Sequence, residues 1–186
     1  MDQTHKMKHT LIAITIYLGL SVQGAFAFEL ASNDLTKDGR ITNQHVANAF
    51  GCTGDNLSPH LVWKNPPKGT KSYAITVYDP DAPTGSGWWH WLVWNIPVTV
   101  SSLPTGVGHE ILLAQGASEG QTDIGTAGYF GVCPPKGDKS HRYQFKVFAL
   151  KVERLELPEN PMPALVGFML KANSLGSANL TARLSR

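Results

Sequence analysis

Turn formers punctuate the whole chain: 18 glycines and 12 prolines are spread through its 186 residues. Glycine loses the most backbone freedom in a helix, and proline lacks the amide proton that a helix interior uses, so long helices cannot dominate the fold. Between the breaks lie three segments rich in β-branched and aromatic residues, 72–79 (SYAITVYD), 88–96 (WWHWLVWNI) and 142–151 (RYQFKVFALK), which are predicted strands. In the third, Tyr143, Phe145, Val147 and Ala149 share one face while Gln144, Lys146, Phe148 and Leu150 share the other. The first set is predicted to face a core. Shorter strands are expected at 28–31, 46–50, 60–63 and 179–184. One helix is predicted over 164–174, with Leu165, Phe168, Met169 and Ala172 as its apolar stripe and Pro161 and Pro163 at its start. The stretches 82–87 and 103–137 carry no strong period and read as ordered loops. Seven or so strands without helices between the central ones imply a mainly β domain of packed antiparallel sheets, not βαβ units.

Composition narrows the function. A content of 42% hydrophobic and 16% charged residues is globular. With a net charge of +2 and no run of Lys or Arg longer than two, the chain has no footprint for a nucleic-acid backbone. No segment matches the dinucleotide or phosphate-loop glycine signatures, and beyond residue 27 no HxD or HxxxH pair marks a metal site, so no cofactor is expected.

Residues 1–27 have the form of a secretory signal: Lys6 and Lys8 precede an apolar run from Leu11 to Val22, and Ala25-Phe26-Ala27 is a small-x-small cleavage sequence. Twelve largely apolar residues fall short of the ~20 that span a bilayer, so cleavage after Ala27 and an exported, periplasmic or secreted domain at 28–186 are expected. Export in turn implies that Cys52 and Cys133 pair as a disulfide, two buried free thiols being the alternative.

Three clusters carry possible chemistry. Asp79-Pro80-Asp81 closes the first strong strand, where its two carboxylates can turn to the same side. His90 stands among Trp88, Trp89 and Trp91. Cys133-Pro134-Pro135-Lys136-Gly137 leads into the third strand, on which His141 and Tyr143 share a face. Each cluster has a plain structural use as a strand-end turn, an aromatic core strand or a Pro-rich hairpin approach. Together, two imidazoles and a phenol suit phosphate or carboxylate oxygens, with aspartate favouring imidazolium unless burial keeps the rings neutral.

The ordered set DPDAP (79–83), WHW around His90, PPKG (134–137) and HRY (141–143), with Asn56-Leu57-Ser58-Pro59 and Trp63 upstream, resembles the phosphatidylethanolamine-binding protein family. The short link 83–91 is similar to the bacterial Raf-kinase-inhibitor-like branch. The resemblance implies antiparallel sheets with Greek-key connections, a few peripheral helices, and a small cavity at the strand ends for phosphate-like groups. It assigns that cavity to Asp79, His90, Pro134, Pro135, His141 and Tyr143, with Asp81 beside them. A tyrosine of the eukaryotic pattern has no counterpart in the link 85–87, and neither has its long C-terminal helix before Arg186. The function expected is an exported, non-enzymatic binding protein for a phosphate- or carboxylate-bearing small molecule or lipid head group. The alternative is an inhibitor or regulator of a protease or signalling protein through the cavity rim, and a third class is a hydrolase or metal enzyme.

Overall fold

The computed structural model describes residues 27–35 and 39–186. The expected export signal at 1–27 lies, but for Ala27, outside the described residues. Among the described residues eight strands form: β1 (Glu29–Ala31), β2 (Leu61–Lys64), β3 (Ser72–Asp79), β4 (Trp88–Pro97), β5 (Ser102–Leu103), β6 (Ser118–Glu119), β7 (His141–Leu150) and β8 (Ser174–Leu184). Two helices, α1 (His109–Ala114) and α2 (Pro163–Asn173), and a 3-10 turn at Asn43–His45 complete the regular structure of the described residues. Among the described residues no helix is long and apolar enough to cross a membrane.

All strand pairings are antiparallel and build two sheets, ordered β1-β2-β5 and β6-β4-β3-β7-β8. The three segments richest in aromatic and β-branched residues are thus the adjacent central strands of the larger sheet. Its two faces bury different cores. One face packs Tyr73, Ile75, Val77, Trp91, Phe145 and Val147 together with Leu61 and Trp63 of the small sheet. The other sets Ala74, Leu92, Trp94 and Leu150 against Val166 and Leu170 of α2.

The period-2 expectation for β7 holds, with Tyr143, Phe145, Val147 and Ala149 all buried. The helix faces otherwise than predicted. Val166 and Leu170 are its buried positions, whereas Phe168 is 68% exposed and Leu165 half-exposed. Gly167 faces Trp89, where a Cβ would come within 3.2 Å of the indole, so close approach at a glycine rather than the larger apolar stripe sets the helix rotation. Residues 46–50 are not a strand: Val46 makes one bridge to Val132, and the chain then reverses through positive φ at Phe50 (53°) and Gly51 (77°). α1 falls inside the segment read as loop, because six residues are too few to display a helical period.

Candidate functional site

The apolar stripe of β3 runs Tyr73, Ile75, Val77 and continues by parity to Asp79; that of β7 runs Ala149, Val147, Phe145, Tyr143 and continues to His141. The same alternation that fills the core therefore delivers a carboxylate, an imidazole and a phenol to one end of it. His90 arrives by a different device. In the β3–β4 pairing Val77 opposes Trp91 and Tyr78 opposes Trp89, so His90 is the extra residue of a bulge. The bulge switches parity along β4, leaving Trp91 on the small-sheet side and Trp89 on the α2 side.

These ends enclose a cavity of about 390 Å³ lined by Asp79, His90, Pro134, Pro135, His141 and Tyr143 together with Phe50, Ala82, Pro83, Thr84, Trp88, Phe130, Cys133 and Arg186. On the β7 side the buried His141 donates from Nδ1 to Asp79 Oδ2 (2.7 Å) and from Nε2 to Asp138 Oδ2 (3.2 Å). Both nitrogens face carboxylates, so both carry protons. Burial pulls this imidazole down, but the bonds to Asp79 and Asp138 outweigh it and hold its pKa above the ordinary value. The bond from His141 likewise holds the Asp138 carboxyl below the usual range. Asp79 Oδ1 accepts the Asp81 amide at 2.8 Å, a side-chain-closed turn at Pro80.

On the opposite side, His90 Nδ1 lies 2.8 Å from the Phe130 carbonyl, which makes it the donor and leaves Nε2 without a proton. Desolvation lowers this histidine to about 4 against the pull of the Phe130 carbonyl and Asp79, so the ring is neutral at neutral pH. Phe130 stacks on the ring at 6.2 Å, and Phe50 meets Phe130 edge-on at 5.9 Å. The Cys52–Cys133 disulfide joins the Phe50 turn to Pro134, and the Arg186 guanidinium lies 3.0 Å from Cys52 Sγ and 3.3 Å from the Phe50 carbonyl. Close approach at Gly131 seats this wall, since a Cβ there would stand 2.4 Å from the Ala47 amide nitrogen.

Two buried donors in the lining, the Tyr143 hydroxyl and the Trp88 indole N–H, have no hydrogen-bond partner among the described residues. Burial, with the Asp79 charge adding to it, raises the Tyr143 phenol well above its ordinary range, so it remains protonated. Leaving such groups unpaired costs about 1–3 kcal/mol each.

Six of the seven residues singled out from the sequence thus line one cavity, and Asp81 does not. Its carboxylate turns away to a bidentate pair with Arg142 (2.8 and 2.9 Å), which holds its pKa far below the carboxylate range. Sequence reasoning missed Phe50, Phe130 and Arg186. Only Phe50 had a signal: it stands two residues before Cys52, so the expected disulfide placed it near Pro134. No group of three or more His, Cys, Asp or Glu side chains among the described residues is arranged to hold a metal ion.

Comparison with known proteins gives consistent relatives. A family model described as phosphatidylethanolamine-binding protein matches residues 31–185. The chain is 52% identical over 176 residues to the UPF0098 protein YbcL of Escherichia coli K12, covering 92% of this chain and 96% of that protein. It is 48% identical over 158 residues to YbhB of the same organism, covering 84% and 99%. The crystal structure of E. coli YbcL, described as a new member of the mammalian PEBP family, matches with a TM-score of 0.81 at 52% identity over 86% of this chain and 98% of that one. The crystal structure of CT736 from Chlamydia trachomatis matches at a TM-score of 0.71 and 28% identity over the same shares.

Proposed function

The chain belongs to the phosphatidylethanolamine-binding protein family, and from that premise we propose that it is an exported, non-enzymatic binding protein whose cavity takes the phosphate or carboxylate group of a small molecule or lipid head group. One observation carries the reading: Tyr143 and Trp88, each with a buried donor that has no partner among the described residues, belong to the lining of the cavity that also holds His141. Arg186 adds a cation to the same lining. Calorimetric titration of inorganic phosphate and phosphorylethanolamine into wild type and Tyr143→Phe tests it. Because the hydroxyl bonds nothing in the described protein, its loss is expected to leave folding intact and weaken anion binding by about 1.5–3 kcal/mol. Unchanged affinity would sink the reading. Export is tested separately: mass spectrometry of the mature protein is expected to find Phe28 as its first residue, and an intact Met1 would refute cleavage.

A second reading, regulation of a protease or signalling protein through the cavity rim, draws on Phe50, which is 64% exposed beside the exposed Pro83 and Pro135. Substituting Phe50→Ala would then abolish capture of one protein partner while leaving phosphate binding largely intact.

A further inference from the structure

One wall of the cavity contains a covalent bond whose two ends differ. Cys52 is buried and lies outside the lining, whereas Cys133 is half-buried and belongs to it. The surroundings of the two sulfurs differ as well. Arg186 Nη1 lies 3.0 Å from Cys52 Sγ and 3.4 Å from Cys133 Sγ. The carbonyl oxygens of Ala49 and Phe50 lie 3.5 and 3.7 Å from Cys133 Sγ. A disulfide sulfur has no proton to donate, so these oxygens meet Cys133 as bare negative ends of dipoles.

A disulfide exchanges when a thiolate attacks one sulfur and the other departs with the electron pair, and departure is faster where the leaving thiolate is better stabilised. A cation beside a sulfur stabilises its thiolate, and carbonyl oxygens repel it. Negative charge released on Cys52 would therefore meet Arg186 at close range, while the same charge on Cys133 would face two acceptors. The accessible end of the bond is thus also its poorer leaving group. Access and electrostatics favour one direction of reaction, attack at Cys133 with departure of Cys52. The cavity of about 390 Å³ has room for a small thiol, and its cations His141 and Arg186, against the one carboxylate Asp79, do not oppose an incoming thiolate.

We propose that Cys52–Cys133 is an exchangeable disulfide: a low-molecular-weight thiol attacks Cys133 Sγ from the cavity, and Cys52 Sγ leaves as a thiolate beside Arg186. The thiol first gives its proton to solvent. Its sulfur then bonds to Cys133 Sγ, the Cys52–Cys133 bond breaks, and the electron pair of that bond goes to Cys52 Sγ. The incoming thiol is oxidised to a mixed disulfide with Cys133, and Cys52 is reduced. The substituent of the thiol is left in the cavity, and the Phe50 turn is released from Pro134. One small reagent thereby fills the site and unties its wall.

Incubation of the folded, unreduced protein with 2-mercaptoethanol and, separately, with glutathione at one fixed pH tests this. Timed samples are trapped with excess N-ethylmaleimide, digested and read by mass spectrometry. The expected product carries the thiol on Cys133 and maleimide on Cys52, and it forms at a rate that urea below the unfolding transition leaves unchanged. Arg186→Gln is expected to slow its formation by about threefold to tenfold, and Arg186→Lys, which keeps the charge, to restore most of the rate. Arg186 is exposed, so both variants are expected to match the wild-type circular dichroism. The thiol found on Cys52, or exchange seen only at urea concentrations that unfold the chain, would overturn the inference. So would Arg186→Gln reacting as fast as wild type or faster, since Arg186 would then shield the bond instead of supporting the leaving group. None of these readouts depends on the cavity binding an anion, so this inference and the anion site can fail separately.

Discussion

On the β7 side of the cavity His141 sits between two carboxylates, whereas on the side of Phe130 and the disulfide His90 sits against an aromatic ring with backbone partners alone. Both rings are buried, and both lie near Asp79. The outcomes are opposite: His141 is pushed toward imidazolium and His90 toward the neutral ring. A direct carboxylate hydrogen bond overcomes desolvation, and a carboxylate acting only through space does not. The two walls are also held differently, one by charge and one by a covalent link with apolar contact, and this difference can be tested by perturbing each in turn.

The largest effect is expected from the covalent wall. The disulfide closes an 81-residue separation, for which the loop-entropy relation gives about 4–5 kcal/mol. Replacing both cysteines, Cys52→Ser with Cys133→Ser, is expected to lower the urea-unfolding free energy by about that amount. A loss below about 1 kcal/mol would mean that the ring contact of Phe50 with Phe130 and the Arg186 hydrogen bond to the Phe50 carbonyl hold the wall without it.

Acid should separate the two histidines. A neutral His90 with a folded pKa of about 4 against an ordinary 6.5 means that the unfolded chain takes up the proton first. Stability is then lost as pH falls from 6.5 to 4, by roughly 3 kcal/mol. The raised His141 has the reverse sign: its contribution is complete below pH 6.5 and is lost as pH rises through its folded pKa. Unfolding curves at pH 4 to 8 are expected to show the acid limb in wild type and not in His90→Gln. An acid limb that survives the substitution would assign it to the carboxylates instead.

The contrast between the walls also explains what could be read from the chain beforehand. Ser72–Asp79, Trp88–Pro97 and His141–Leu150 were legible because long strands bury side chains at every second position, and that period carried Asp79, His141 and Tyr143 to the site. The charge wall was therefore visible down to its residues. The apolar wall was not, since Phe50, Phe130 and Arg186 belong to segments without a period and meet through backbone reversals and a disulfide. Asp81 shows the limit of spacing: two carboxylates at i and i+2 diverge once Asp79 closes a turn on the Asp81 amide and Arg142 offers a bidentate partner. The bulge at His90 and the glycine that rotates α2 are likewise decided by neighbours distant in sequence.

The smallest expected effect on stability, and the most specific to the charge wall, comes from Asp138. Its side chain is about a third exposed, so solvent screens its pairing with His141 and its removal is expected to leave the melting midpoint almost unchanged. Its influence on His141 is another matter. It supplies the second of the two hydrogen bonds that hold the imidazole above its ordinary pKa, while burial and Asp79 remain when it is gone. In Asp138→Ala the His141 titration, followed by NMR of the ring protons, is therefore expected to move to lower pH than in wild type. The same substitution frees Nε2–H on a residue that lines the cavity, so inorganic phosphate is expected to bind severalfold more tightly below the shifted midpoint and to lose that gain above it. If the His141 titration stays where it is, Asp79 alone sets its charge. If the titration moves but phosphate affinity does not, Nε2 is no part of the anion site, and the charge wall serves the fold rather than the ligand.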